Sequence, residues 1–153
     1  MAVLEHLEPG RVFHFFEQMS AIPRGSGNTK AVSDWLAEFA RERGLRYQQD
    51  ALNNIIIFKD ASAGYEGAEP VILQGHMDMV CEKEPSCTLN MEQDGLQLKL
   101  EDGIISAEGT TLGGDDGIAV AYCLALLADP DIEHPPLELS LIHISEPTRP
   151  LYI

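Results

Sequence analysis

The sequence predicts an α/β fold with one sheet flanked by helices, because helical and strand-like patterns alternate along the chain. Residues 10–20 and 28–43 carry apolar side chains at helical spacing. Residues 54–59 and 70–74 are short apolar runs bounded by turn-forming residues, which is typical of strands. A third helix is predicted at residues 117–128. The pattern shows neither an internal repeat nor a domain boundary, and it therefore describes one layered domain.

The individual elements follow in order from periodicity and turn chemistry. Each of the first two helices has an apolar stripe, at Val12, Phe13, Phe16 and Met19 and at Ala31, Val32, Trp35, Leu36 and Phe39. Gly44 is predicted to end the second helix, since glycine tolerates the left-handed backbone found there. The remaining strands are predicted at residues 45–50, in a hairpin at residues 96–106 around an Asp-Gly turn, and from residue 137 onwards.

Two stretches are apolar almost without interruption, which predicts that they are buried. Residues 70–74 read Pro-Val-Ile-Leu-Gln, and such a run is typical of a strand covered on both faces. The helix at residues 117–128 is apolar nearly all round and is predicted to lie inside the layered structure.

The composition restricts the classes of partner and the compartment. At 153 residues with 44% hydrophobic content, the chain has room for one sizeable core. Its formal net charge of -15 argues against nucleic acid and against an anionic membrane as partners. The three cysteines, Cys81, Cys87 and Cys123, form no CxxC pair, which favours a reducing compartment. Because neither a signal peptide nor a run of membrane-spanning length is visible, the expected location is the cytoplasm.

Two acidic turns carry the residues with the clearest chemistry. Residues 75–78 read Gly-His-Met-Asp and follow the apolar strand, whereas residues 113–117 read Gly-Gly-Asp-Asp-Gly and open the third helix. Residues two apart on a strand point to the same side. His76 and Asp78 are therefore predicted to project together from the end of the strand.

The residue types in these turns are those of a hydrolytic metal centre. Such a centre combines imidazole and carboxylate ligands, and a pair of metal ions also needs a carboxylate that bridges them. His76 would bind one metal ion, and Asp115 or Asp116 would supply the bridge. Asp78 lies too close to His76 in sequence to bind metal independently, and it is predicted to hold the imidazole instead.

The same turns carry a family resemblance. Residues 75–80 (Gly-His-Met-Asp-Met-Val) and 109–118 (Gly-Thr-Thr-Leu-Gly-Gly-Asp-Asp-Gly-Ile) resemble the M20-type metallopeptidases. Within them, the chain is most similar to the aminoacyl-histidine dipeptidases, also called cytosolic non-specific dipeptidases. Further similar stretches lie at residues 22–26, 50–54, 80–83 and 134–138. The resemblance covers residues 5–139 and implies the N-terminal part of a zinc-peptidase-like catalytic domain, truncated, with a mixed sheet flanked by helices.

The resemblance implies a role for each site residue. His76 would be a metal ligand, Asp115 would bridge two zinc ions (Zn2+), and Asp78 would be the catalytic aspartate that holds His76. Asp116 receives no ligand role, and Mn2+ or Co2+ could replace zinc. The implied activity is the hydrolysis of short peptides, such as aminoacyl-histidine dipeptides, by a metal-activated water. The family's lid or dimerisation domain allows a homodimer of the intact protein.

The sequence departs from this family after Leu139. In the family an adjacent Glu-Glu pair follows, as general base and ligand, and a further Asp and a late His complete the site. Residues 140–153 instead resemble translated adapter sequence. Our hypothesis is that residues 1–139 are native and that residues 140–153 are a non-native tail. The literal chain would then be inactive, and an unpaired sheet edge predicts aggregation on expression.

Three alternatives to the dipeptidase stay open. The first is another M20-type amidohydrolase or aminoacylase, and the second is a non-catalytic truncated fragment. The third is an iron oxygenase with two histidines and one carboxylate, which also begins with His-x-Asp. Such oxygenases are built from strands throughout, whereas this chain predicts three helices.

Four further residues are expected to have no part in the chemistry. Arg24 is predicted to face solvent, and Cys81 to be a small buried residue. His14 is predicted on the first helix, either at the surface or in helix packing, and His134 in a loop.

Overall fold

The computed structural model describes residues 2–141, in which three helices and six strands alternate. Their bounds are α1 Gly10–Ser20, α2 Lys30–Glu42, β1 Arg46–Gln49, β2 Ile55–Lys59, β3 Val71–Gly75, β4 Leu98–Glu101, β5 Ile104–Ala107, α3 Gly114–Ala128 and β6 Leu137–Leu141. Every predicted helix and strand is confirmed, with bounds that differ from the prediction by at most three residues.

The ends of α2 and of the hairpin follow the predicted turn chemistry. Gly44 adopts a φ of 65° just after α2, and its N–H donates to the carbonyl of Arg41. The turn between β4 and β5 has positive φ at both central residues, 50° at Asp102 and 78° at Gly103. Two positive φ angles are what a tight two-residue hairpin requires, and Asp-Gly adopts them readily.

Four strands form one mixed sheet in the order β1-β2-β6-β3. β2 pairs antiparallel with both β1 and β6, whereas β3 runs parallel to β6. β4 and β5 form a separate antiparallel hairpin. The predicted α/β fold with a mixed sheet is therefore confirmed, and the parallel β3–β6 pair brings the end of β3 beside the end of β6.

One face of the sheet supplies the core. Ile55, Ile57, Leu139 and Leu141 have no exposed surface. On the opposite face Ile56 and Glu138 are partly exposed, whereas Ser140 is buried. The three helices contribute most of the other side chains of the same cluster, to which Leu4, Met77 and Leu137 also belong. α3 packs against α1, β3 and β6, and this packing places the start of α3 next to the end of β3.

The predicted burial of β3 on both faces is wrong. Ile72 is 65% exposed and Val71 is also exposed. Within residues 2–141, β3 has a strand partner on one side only, which is β6. Ile72 pairs with Glu138 on the face that lies opposite the core, so its apolar side chain is uncovered.

The predicted interior position of α3 holds for one side of that helix. Val120 and Leu124 are completely buried, but Ile118 and Tyr122 are exposed on the other side.

Of the helices in residues 2–141, none combines the length and the apolar character that crossing a membrane demands. Ser140 and Leu141 complete β6, and residues 142–153 lie outside the described part of the chain, so the hypothesis of a non-native tail stays a prediction.

Candidate metal centre

The two acidic turns meet where β3 ends and α3 begins. His76 directly follows Gly75, the last residue of β3. Asp115 and Asp116 lie in the first turn of α3 but have non-helical backbone angles, and the peptide bond between them is cis. The regular helix thus begins at Gly117, which agrees with the predicted start. The first turn leaves the Asp115 side chain 97% exposed and directed towards His76.

His76 and Asp78 project to the same side, as predicted. The residues that alternate with them, Met77 and Met79, are buried in the protein. Because side chains alternate along extended backbone, this burial directs both polar side chains away from the core. Asp78 retains only 14% side-chain exposure and lies against the imidazole of His76.

The imidazole of His76 lies between two carboxylates. Its Nδ1 atom is 3.0 Å from the backbone carbonyl oxygen of Asp78 and 3.2 Å from Oδ1 of the same residue. Its Nε2 atom is 3.2 Å from Oδ1 of Asp115. Both oxygens at Nδ1 are acceptors, so the geometry assigns a proton to Nδ1. The contact of Nε2 with Asp115 is a hydrogen bond only when Nε2 also carries a proton, in the positively charged ring. In the neutral ring with Nδ1 protonated, Nε2 would have the lone pair that a metal ligand needs.

The pKa of His76 is raised above its usual value. Burial by itself lowers the pKa of this imidazole, and it is the largest single effect. The hydrogen bonds with Asp115 and with the backbone of Asp78, together with the negative charges of Asp78 and Asp116, outweigh that effect. The site therefore favours the protonated, positively charged form of the imidazole.

Asp116 interacts with the backbone rather than with the ring of His76. Its Oδ2 atom accepts a long hydrogen bond of 3.4 Å from the backbone N–H of His76. A Cβ atom at Gly75 would lie 2.9 Å from the same oxygen, so the glycine allows this close approach. The carboxylate that faces Nε2 is that of Asp115. Asp115 thus faces the imidazole and Asp116 faces the backbone, while the bridging role stays a prediction.

Arg24 is buried, and the prediction that it faces solvent is wrong. It is 1% exposed, and its guanidinium donates to the carbonyls of Met77, at 3.1 Å, and Gly113, at 2.7 Å. Burial lowers the pKa of Arg24 to about 10, although the nearby Cys81 and Asp78 oppose this shift. Since Met77 and Gly113 belong to the two acidic turns, Arg24 connects the turns that carry His76 and Asp115.

Sequence reasoning also missed Ser26. Its hydroxyl donates to Oδ2 of Asp78 at 2.6 Å, on the side of the carboxylate that faces away from His76. Residues 22–26 were part of the family resemblance, which was the available signal, but nothing local indicates a contact with Asp78. Cys81 also differs from expectation, because its side chain is exposed rather than buried.

The predictions for the other histidines hold in part. His14 is exposed on α1, as predicted. His134 lies in the loop before β6, but it is buried, and its Nδ1 atom is 2.8 Å from the carbonyl oxygen of Pro135. The backbone carbonyl and N–H of His134 both bond to the hydroxyl of Ser62. Its contacts are therefore those of a structural residue.

The donor set suits a zinc ion in chemistry but not yet in number. An imidazole nitrogen and a carboxylate oxygen are ordinary zinc ligands, and structural and catalytic zinc sites use at least three protein ligands. Among residues 2–141, no group of three or more histidine, cysteine, aspartate and glutamate side chains is arranged to hold a metal ion. His76 and Asp115 would therefore supply only part of a ligand set, and their role as ligands stays a prediction.

An open cleft of about 690 Å³ adjoins this centre. It is lined by residues 25–28, 79–82 and 91–93, which include Ser26, the residue that contacts Asp78. Glu82 and Glu92 make part of the wall acidic, and Met79 and Met91 make part of it apolar.

The chain is similar in sequence and in structure to two named dipeptidases. No protein-family model matches the chain. The cytosol non-specific dipeptidase of Escherichia coli (strain K12) is 36% identical over 146 residues, which are 95% of this chain. The crystal structure of aminoacylhistidine dipeptidase from Vibrio alginolyticus superposes with a TM-score of 0.89 at 35% identity, over 94% of this chain. The predicted resemblance is confirmed.

The similarity is limited in the length of the relatives that the chain covers and, for a further structure, in sequence identity. The chain spans 30% of the length of the Escherichia coli dipeptidase and 29% of the Vibrio alginolyticus structure. A tripeptidase from Staphylococcus aureus matches with a TM-score of 0.67 over 86% of this chain and 35% of its own length. At 22% identity, that match shows a shared fold alone.

Proposed function

We propose that this chain is part of a metal-dependent dipeptidase that hydrolyses short peptides, including aminoacyl-histidine dipeptides. The observation that carries the proposal is the position of the His76 imidazole, held between Asp78 and Asp115 with Nε2 directed at the exposed carboxylate. The names of the similar Escherichia coli and Vibrio alginolyticus proteins support the substrate class. Because the chain spans only about 30% of these relatives, the activity is proposed for the longer protein.

Each residue of the centre has a separate task in this proposal. Nε2 of His76 and the carboxylate of Asp115 would hold the metal, and Asp115 would bridge two zinc ions. Asp78 fixes the ring orientation and keeps the proton on Nδ1. When bound, the metal supplies Lewis-acid polarisation of the scissile carbonyl and activation of water. In this proposal the general base and the remaining ligands come from outside residues 2–141, as the family resemblance implies.

The substrate would enter through the open cleft beside Asp78. Glu82 and Glu92 in its wall favour a cationic group, and the α-amino group of a short peptide carries that charge near neutral pH. We further propose zinc as the metal, the cytoplasm as the location and a homodimer as the assembly of the intact protein. Residues 1–139 are proposed as the native part of the catalytic domain, and residues 140–153 as a non-native tail.

The first test establishes the reading frame. The source DNA is sequenced across and beyond the codon for Leu139, and the frame is expected to continue into an adjacent acidic pair and a long downstream region. A stop codon directly after Ile153 in the genomic DNA would contradict the proposed tail.

The second test measures function in the protein made from the complete reading frame. Bound zinc is quantified, and hydrolysis of an aminoacyl-histidine dipeptide is followed before and after treatment with a chelator. His76→Ala is expected to abolish both zinc binding and hydrolysis, whereas His14→Ala, an exposed histidine on α1, should leave both unchanged. Full activity in His76→Ala, or hydrolysis of N-acyl amino acids in place of dipeptides, would refute the assignment.

A further inference from the structure

The segment at residues 24–26 lies directly alongside the turn that carries Asp78. Met79 donates its N–H to the carbonyl of Arg24 at 3.0 Å, and Ser26 donates its N–H to the carbonyl of Met79 at 3.2 Å. Gly25 and Met79 form a parallel bridge. A Cβ atom on Gly25 would lie 2.9 Å from Sγ of Cys81, so the glycine allows this close approach. The backbone thus fixes Ser26 next to Asp78.

The two oxygens of the Asp78 carboxylate have different partners. Oδ2 accepts the hydroxyl hydrogen of Ser26 at 2.6 Å, and Oδ1 lies 3.2 Å from Nδ1 of His76. A carboxylate that rotates about its terminal torsion exchanges these oxygens and tilts its plane. The short bond from Ser26 opposes that rotation, because Ser26 is itself held by the backbone of Met79.

We propose that Ser26 is a positioning residue of the metal centre. It fixes the carboxylate of Asp78, and that carboxylate holds the ring of His76 with Nδ1 protonated and Nε2 directed at Asp115. Ser26 thereby increases the affinity of the centre for zinc without contacting the metal. This inference rests on the proposed function, since it assumes that Nε2 of His76 is a ligand.

The surroundings of Ser26 separate this role from a general contribution to the fold. Ser26 is exposed and lies in a turn outside every helix and strand, so its hydroxyl fills no space in the core. Removal of the hydroxyl should leave the fold unchanged and take away the hydrogen bond that Oδ2 of Asp78 accepts from Ser26. Partners that orient a metal-bound histidine typically change metal affinity by about 10- to 100-fold. Ser26 acts through Asp78, and we expect about a tenfold effect, at the lower end of that range.

The test compares five variants of the protein made from the complete reading frame, of which His76→Ala tests the ligand itself. Zinc affinity is measured by competition with a chromophoric chelator, and thermal unfolding is measured on the zinc-free form. Ser26→Ala should lower zinc affinity about tenfold, and Asp78→Asn should lower it by about 10- to 100-fold. Ser26→Thr, which keeps a hydroxyl group, should retain most of the affinity of the unmodified protein. Ser62→Ala is the matched control, because its hydroxyl bonds to His134 away from the centre.

Each outcome distinguishes this inference from the proposed function. If His76→Ala abolishes zinc binding but Ser26→Ala binds zinc as tightly as the unmodified protein, the role of Ser26 is refuted and the function stands. If His76→Ala leaves zinc binding unchanged, the proposed function itself fails. If Ser26→Ala and Ser62→Ala lower both zinc affinity and the unfolding temperature equally, Ser26 is only structural and the inference is overturned.

Discussion

The adjacent glycines at the start of α3 should respond very differently to alanine. Gly113 has a φ of 67°, and a Cβ atom there would lie 2.5 Å from Nη2 of Arg24 and 2.6 Å from Sδ of Met79. Gly114 lacks a positive φ, and its Cβ atom would meet only Cδ2 of Leu112, at an ordinary distance of 3.9 Å. Gly113→Ala is therefore predicted to be damaging, and Gly114→Ala is the matched control.

Two contributions set the expected loss for Gly113→Ala. A non-glycine residue in the left-handed region costs about 1–2 kcal/mol. Overpacking adds about 1–3 kcal/mol, since Arg24 and Met79 are both buried and the guanidinium is bonded to the carbonyl of Gly113 itself. The free energy of unfolding should thus fall by about 2–5 kcal/mol, a large part of the 5–15 kcal/mol that is typical of a domain. Gly114→Ala should stay within about 0.5 kcal/mol of the unmodified protein.

The assay is equilibrium unfolding in urea, followed by the fluorescence of Trp35, the single tryptophan of the chain. Both variants are measured without metal, so that a change in zinc binding does not alter the apparent stability. Equal midpoints and slopes for Gly113→Ala and Gly114→Ala would refute the packing argument. A lower slope for one variant would indicate a change in the extent of unfolding rather than in stability alone.

Three other perturbations test separate features. Arg24→Leu leaves the carbonyls of Met77 and Gly113 without their donor, and each unpaired buried acceptor costs about 1–3 kcal/mol, so the free energy of unfolding should fall by about 2–6 kcal/mol, with Arg24→Lys losing less. Equal stability of Arg24→Leu and the unmodified protein would contradict this. The hydrogen bond from the Asn54 side chain lowers the pKa of Asp50, so the ionised carboxylate stabilises the folded protein above about pH 4, and this stabilisation is lost as the pH falls through the lowered value. In urea unfolding, Asp50→Ala should therefore have a lower midpoint than the unmodified protein at neutral pH, and the difference should shrink in acid. Ile72→Lys places a charge on β3, which has one strand partner within residues 2–141, and should reduce self-association of the 153-residue chain in sedimentation experiments. A sharp, monomeric unfolding transition of the unmodified chain would argue against association through this edge.

The helices and strands could be predicted because their signals are local. The helical stripe of α1 and the Asp-Gly turn of the hairpin both act within a few residues, and both appear where predicted. The burial of β3 was not predictable in that way. Its neighbours depend on the order of strands, and β6, its partner in residues 2–141, lies far along the chain. An apolar run therefore indicates a strand more reliably than it indicates what covers the strand.

The candidate site divides along the same line. The shared side of His76 and Asp78 follows from the two-residue period, which is a local property. Which of Asp115 and Asp116 faces the imidazole of His76 depends on the non-helical first turn of α3, and no spacing rule predicts that conformation. Burial of Arg24 is less predictable still. An arginine is rarely buried unless its donors are satisfied, and here Nη1 and Nη2 donate to carbonyls from two remote turns. Its buried Nε atom has no hydrogen-bond partner among residues 2–141.

Three turns that are distant in sequence are thus held together by polar contacts. Arg24 connects the turn of His76 with the turn of Asp115, and Ser26 contacts Asp78 from the same short segment. These contacts lie just beyond β3 and before the regular part of α3, so hydrogen bonds of the sheet do not fix them. Removal of Arg24 should therefore change stability and metal affinity together, because its guanidinium is buried. Removal of the Ser26 hydroxyl should change metal affinity alone, because it lies at the surface. The loss of metal affinity on removal of Ser26, divided by the loss on removal of Arg24, measures how far the geometry of the centre depends on polar contacts at the surface rather than on the buried core.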